Sequence, residues 1–283
     1  MTMTRTPRSD PAPTNGRSFP ALLRAWRQRR RLSQLELAGD AEISTKHLSF
    51  LETGRAKASR EMVLRLAERL RIPLRDQNAL LLAAGYAPVF SNRDLDDAEL
   101  APARRAIDRV LAAYEPFPAL AFDRHWNLVS GNQAIRFFLE LDISPALLEP
   151  PINLLKLSLH PQGLGAHVLN LREWRRHIFA RLAEQIEASG DMGLAALLAD
   201  LESYPEPAPD GRLASLAERQ GRDGSTKVAV ALLIETPKGR FAFWTMTTVF
   251  GTPLDVTLSE LAIEAFLPAD EATAAMLREL SER

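Results

Sequence analysis

"SQLELAGDAEISTKHLSFLETG", residues 33–54, holds two short helical patterns separated by one tight turn. Ser33, with Glu36 three residues on, forms a capping box: the hydroxyl accepts from the N3 amide while the glutamate reaches back to the serine amide. Leu35, Leu37, Ala38 and Ala41 supply the apolar residues of the helix so opened. The chain turns near Glu42, Ser44 caps the next helix and Gly54 stops it. At about 3.6 residues per turn, Leu48 and Leu51 share the inner side of this second helix. Lys46, Ser49, Phe50 and Thr53 fall on the other side, with Thr45 beside them. A bare phenylalanine among a lysine and small hydroxyls is unusual on a free surface, so that face should meet something.

Working outward, Phe19, Leu22, Leu23 and Trp26 space as one helix face, followed by the basic run "RQRRR". Ser59 opens a fourth helix with Met62, Val63, Leu66 and Leu70; Pro73 breaks it, and a fifth helix ends at Gly85. The expected unit is all-α, five helices over residues 19–86. Two short helices with a tight turn, the second polar outside, make a helix-turn-helix, whose second helix lies in the DNA major groove. Lys46 can donate to guanine O6 or N7, Ser44, Thr45 and Ser49 can bond bases or phosphates, and Phe50 can cover a thymine methyl. Gln34, at the positive end of its helix, is placed to hold a phosphate, and Arg55 and Lys57 add sequence-independent attraction. The competing reading is that Phe50 packs on a neighbouring domain or subunit.

The charge distribution supports a polyanionic partner. The whole chain carries 35 Lys+Arg and 36 Asp+Glu over 283 residues, a net -1. Up to Arg93 there are 17 basic and 8 acidic residues, a net of +9; the remainder carries 18 and 28, a net of -10. A basic half beside an acidic one suggests two jobs, although a basic segment is also often just a solvated face. There is no cysteine, which excludes disulfides, thiolate metal sites and cysteine nucleophiles and suits a reducing cytoplasm. Residues 1–18 lack the apolar core of a signal peptide and read as a disordered arm; apolar runs such as "VAVALLI" are too short to cross a bilayer.

Beyond the fifth helix, "APVFSNRDLDDAEL", residues 87–100, reads as a linker. Residues 101–283 then read as a second, α+β domain with an antiparallel sheet. A helix is expected over 101–114, and "PALAFDRHWNLVSGN" gives two short strands around an Asp123–Arg124 turn. Helices are expected over 133–204, with Leu171, Trp174, Ile178, Leu182 and Ile186 as one apolar stripe. Strands at 227–236, 240–250 and 256–266 and a helix at 269–282 complete the reading, leaving room for a pocket between helices and sheet. Catalytic and metal signals are weak. His160, His167 and His177 lack metal-ligand spacing, "GLG" at 163–165 lacks a dinucleotide fingerprint, and no nucleophile elbow occurs. Asp123, Asp255 and Glu260 have no visible catalytic partner, so no catalytic residue, metal or cofactor is expected.

"LSQLELAGDAEISTKHLSFLETGRAKASREMVLRLAERL" resembles the helix-turn-helix of the xenobiotic-response-element family. That resemblance implies a phosphate clamp at Gln34, base reading by Thr45, Lys46 and Phe50, and a structural ion pair between Arg27 and Glu52. The family usually has glycine where this chain has Glu42. The second half is similar to the PAS-like MmyB-like ligand-binding domain, through "EPFPALAFDRHWNLVSGNQAIRFF", "LHPQGLGAHVLNLREWRRH" and "FGTPLDVTLSELAIEAFLPADEATA". It implies a small apolar ligand, acyl-chain-like among the options, and Phe138, Leu154, Trp174, Phe179, Phe243 and Met246 could line its cavity or be plain core. The expected whole is a sequence-specific transcription regulator, cytoplasmic and homodimeric, binding double-stranded DNA, without enzyme activity and without a membrane segment. Two alternatives stay open: a DNA-targeted enzyme, and a ligand-free interaction domain.

Overall fold

A computed structural model describes residues 18–206 and 230–282. The expected N-terminal arm up to residue 17, and the expected start of a strand at 227–229, lie outside the described residues. Five helices come first: α1 Phe19–Arg29, α2 Gln34–Asp40, α3 Thr45–Glu52, α4 Arg60–Arg69 and α5 Leu74–Ala83. The caps are those the sequence announces. Ser33 and Glu36 form both halves of the capping box, and Ser44 and Ser59 accept from the amides of His47 and Met62. Leu23, Leu37, Leu48, Leu51, Val63, Leu66 and Leu80 fill one core among the five helices.

Each of the five helices ends in the same way. A residue in the left-handed region follows the last turn: Arg31, Glu42, Gly54, Arg71 and Gly85, with φ of 56°, 56°, 74°, 47° and 87°. The next amide then turns back onto the helix, as in Leu32 N to Arg27 O, Ile43 N to Ala38 O and Ile72 N to Ala67 O. This satisfies carbonyls that would otherwise lack partners. It also tucks Leu32, Ile43, Ile72 and Tyr86 against the ends of α1, α2, α4 and α5, whereas the exposed Arg55 follows α3. Three of these positions carry a side chain that must tolerate the left-handed region.

Residues 87–100 are held by both halves rather than hanging free. Asn78 binds the backbone of Val89 and Phe90, Val256 N donates to Ser91 O, and Arg93 pairs with Asp255. A 3-10 turn at Ala98–Leu100 leads into α6, Ala101–Ala113.

The second half is built on one antiparallel sheet of order β2-β1-β5-β4-β3. Its strands are β1 Ala119–Phe122, β2 Leu128–Gly131, β3 Leu232–Thr236, β4 Gly239–Val249 and β5 Ala262–Pro268. The expected strand at 256–266 is corrected: Asp255 caps a helical turn, α11 Val256–Ser259, and the strand begins only at Ala262. The remaining helices are α7 Arg136–Leu139, α8 Leu154–Leu159, α9 Leu171–Ser189, α10 Met192–Glu202 and α12 Glu271–Ser281. Ile107 and Leu111 of α6 pack on the sheet face that carries Ala119, Ala121, Ile263 and Ala265. The opposite face, with Leu120, Phe122, Phe241 and Phe243, meets α7 to α10 in the larger core. Strand alternation thus buries both faces of β1, which is why "ALAF" is apolar throughout. Among the described residues no helix is long and apolar enough to cross a membrane.

Candidate functional site

Two places in the molecule have geometry that packing alone does not explain. The first is α3. Leu48, Leu51 and Glu52 face inward, and Glu52 is 8% exposed. Arg27 donates to both Glu52 oxygens at 2.6 and 2.9 Å and to Leu32 O at 2.7 Å. Gln34 donates to Glu52 at 2.8 Å. Burial alone would raise the Glu52 carboxyl, but the bonds from Arg27 and Gln34 outweigh it and hold the group below the ordinary carboxylate range. This network ties α1, α2 and α3 together, so the outer face of α3 is carried on a rigid base.

On that face Lys46 is exposed, and its ammonium lies 5.7 Å from the centroid of the half-buried Phe50 ring. Thr45 and Ser49 are half-buried beside them, and Ser44 is exposed at the helix start. Arg55 and Lys57 are exposed just beyond the helix. Gln34 is not free: one of its two amide hydrogens goes to Glu52, which leaves the other. In the described chain the Phe50 ring has the Lys46 ammonium above it.

The second place is a cavity of about 80 Å³ between α8, α9 and the sheet. Its wall is almost wholly apolar. Of the six residues expected there, Phe138, Leu154 and Trp174 line it, whereas Phe179, Phe243 and Met246 do not. Phe243 is fully buried behind the wall, against Phe138, Phe241 and Phe266. Phe179 turns aside on α9, 5.0 Å beneath the Arg175 guanidinium. Met246 sits on the outward-facing side of β4, 45% exposed, because alternation from Phe241 and Phe243 sends even-numbered positions away from the core.

Wall residues missed in the sequence include Trp126, Ile178, Arg181, Glu264 and Phe266. A signal for part of this was present: Trp174, His177, Ile178 and Arg181 recur at helical spacing and all line the cavity. Trp126 carried no such signal. It stands in the β1–β2 turn with φ of 66°, its ring stacked 4.4 Å from Phe122 and its indole N–H donating to Gln185.

Residues 103–280 match a family model described as MmyB-like transcription regulator ligand binding domain. The chain belongs to the MmyB-like transcription regulators. A helix-turn-helix domain model matches residues 19–80. No curated protein matches the chain. The MmyB-like regulator is thus a DNA-binding transcription regulator that joins a helix-turn-helix to a ligand-binding domain, and both matched domains are regulatory.

In this MmyB-like regulator the two places are physically connected. The middle of α9 lines the cavity, and its C-terminus is held by α1 of the helix-turn-helix. Arg29 donates to Ser189 O at 3.3 Å, Arg30 donates to Ala188 O at 3.0 Å, and Arg31 pairs with Glu187. Guanidinium groups at a helix C-terminus satisfy its free carbonyls and oppose its negative dipole end. Arg75 of α5 also reaches across, donating twice to Glu260 at 2.7 Å. Beside it Asp191 accepts from His125 at 3.0 Å and pairs with Arg124. Those partners hold its carboxyl well below the usual range, the His125 bond foremost.

Proposed function

We propose that this regulator reads a specific operator through α3 and that a small apolar molecule in the cavity alters its hold on DNA. The observation that carries the reading is α9: one helix forms the cavity wall and ends under three arginines of the DNA-binding half. In this reading Lys46 donates to a guanine edge, Phe50 covers a thymine methyl, and Thr45 and Ser49 bond bases or nearby phosphates. Gln34, Ser44, Arg55 and Lys57 position the backbone, and binding falls with salt accordingly. The protein acts as a homodimer on half-sites about 34 Å apart, one helical turn.

The ligand is apolar because the wall is, an acyl-chain-like molecule included. The cavity, about 80 Å³, is near half the roughly 150 Å³ of a dry apolar cavity that accepts benzene. A longer ligand therefore pushes wall side chains apart, and α9 is the wall element that is also anchored to α1. Displacing it strains the arginine contacts, so ligand occupancy and DNA-domain orientation share one free energy. The domain limits that go with this reading are 19–86 for DNA binding, 87–100 for the connection and 101–283 for the ligand.

Native mass spectrometry of protein purified from its own host tests the ligand part. An apolar small molecule bound at one per chain is expected, and it should change the affinity for an enriched operator duplex. A chain that carries nothing and whose DNA affinity ignores all added apolar compounds contradicts the reading and favours a ligand-free interaction domain.

A further inference from the structure

The cavity wall, otherwise mostly apolar, carries an ion pair beside the polar groups of Ser158 and His177. Arg181 Nη1 lies 3.2 and 3.4 Å from the two Glu264 oxygens, and Nη2 donates to Thr247 at 2.6 Å. The guanidinium sits 4.5 Å over the Trp126 ring. The Glu264 side chain is 8% exposed, that of Arg181 25%. Position 264 lies between Ile263 and Ala265, which face α6, so alternation along β5 aims the carboxylate at the cavity side with Phe266. An apolar pair of similar size would cost less to bury there, because taking two charges out of water is expensive. The pair is therefore better explained by what it meets than by what it stabilises.

Among the lining residues the titratable side chains are Arg181, Glu264 and His177. Arg181 and Glu264 cancel each other. A ligand with a carboxylate would leave one buried negative charge uncompensated, and an ammonium would leave one positive. A neutral hydroxyl or amide has a donor for Glu264 and an acceptor for Arg181, whose contact with the carboxylate is longer than the usual 2.7–2.9 Å or so of a tight charged hydrogen bond. Resting on the reading of this cavity as a ligand site, we propose that it selects an uncharged amphipathic molecule, an alcohol- or amide-headed apolar chain, and that Arg181 and Glu264 determine this specificity.

The test is isothermal titration of the full chain with octanol, octanoate and octylamine at pH 8, where the octanoate head is anionic and the octylamine head cationic. The three probes share one tail, so tail burial cancels and the head group decides the order. Octanol should bind at least about tenfold tighter than either ion, the low end for a unit charge in a protein-like dielectric. Glu264→Gln should shift the ratio of octanoate to octanol by about tenfold towards octanoate, and Arg181→Gln should shift octylamine likewise. Wild-type protein that prefers octanoate overturns the head-group proposal and leaves the apolar site standing. Folded variants, judged by an unchanged thermal melt, that keep the wild-type order also overturn it. No binding of any probe overturns the cavity as a ligand site, and the proposal with it. Should a variant fail to fold, the wild-type order alone decides.

Discussion

Glu42 ends α2 with φ of 56°, while Gly39 lies inside the same helix, where a Cβ would meet nothing within 4 Å. Glycine at position 42 would remove the left-handed strain, partly offset by its larger unfolded-state entropy. Glu42→Gly should therefore stabilise the protein by up to about 1 kcal/mol. Gly39→Ala should add about 0.5–1 kcal/mol by helix propensity alone. Denaturant melts check both; a lowered midpoint for either would mean that contacts at that position outweigh the backbone term. Asp76, at the start of α5, behaves differently. Burial raises its carboxyl from 3.8 to about 6, with Arg124 opposing and Glu260 and Asp191 adding to the rise. A carboxyl raised in the folded state holds a proton that the unfolded chain releases, so its effect is to lower stability as pH rises from 3.8 to about 6. Asp76→Asn should flatten that fall and raise stability at pH 7.5 by about 1 kcal/mol, after allowance for partial solvent access. Melts at pH 4, 5, 6 and 7.5 of both proteins give the comparison, and parallel curves would refute it.

At the level of elements, α9 ends with Gly190 at φ of 67°, and a Cβ there would lie 2.0 Å from the Arg29 guanidinium. Gly190→Ala should cost about 1 kcal/mol, mainly through the left-handed backbone, since the Arg29 head can swing away. The same swing breaks the Arg29 bond to Ser189, so protease sensitivity near residue 190 should rise as well. An unchanged melt and digestion pattern would contradict the packing of α1 on this helix end. Elements with local signals were legible in the sequence. Ser33, Ser44 and Ser59 cap as expected because a cap needs only residues three or four apart. The hairpin turn before β4 and the β1–β2 pair followed for the same reason. The start of β5 was not, since the apolar run from Val256 continues the strand pattern and only the Asp255 cap diverts it into α11. Cavity residues were legible by half. Phe138, Leu154 and Trp174 line it, but composition does not tell which of Phe243 and Phe266 stands in front of the other.

Across the whole molecule, the basic first half and acidic second half attract each other as well as any outside polyanion. Of the run 27–31, Arg27 is spent on Glu52, and Arg29, Arg30 and Arg31 reach α9 across 160, 158 and 156 residues of sequence. No pattern within a short window reveals such a contact. If this clasp couples ligand to DNA, Arg29→Ala combined with Arg30→Ala should leave ligand affinity within about twofold while removing most of the coupling, typically worth about 1–3 kcal/mol. Titration of ligand with and without operator duplex reads that coupling directly; full coupling in the double variant would place the pathway elsewhere.

Sequence reading by α3 can be measured directly. Duplexes that bind the full chain are enriched from a random pool, and affinities for the enriched and a scrambled duplex are then compared for wild type and Lys46→Ala at several salt concentrations. Wild type should clearly prefer the enriched duplex, and the variant should lose about 1–3 kcal/mol on that duplex alone. An equal loss on both duplexes, with the salt slope reduced by about one, would make Lys46 a phosphate contact and contradict sequence reading by this helix face.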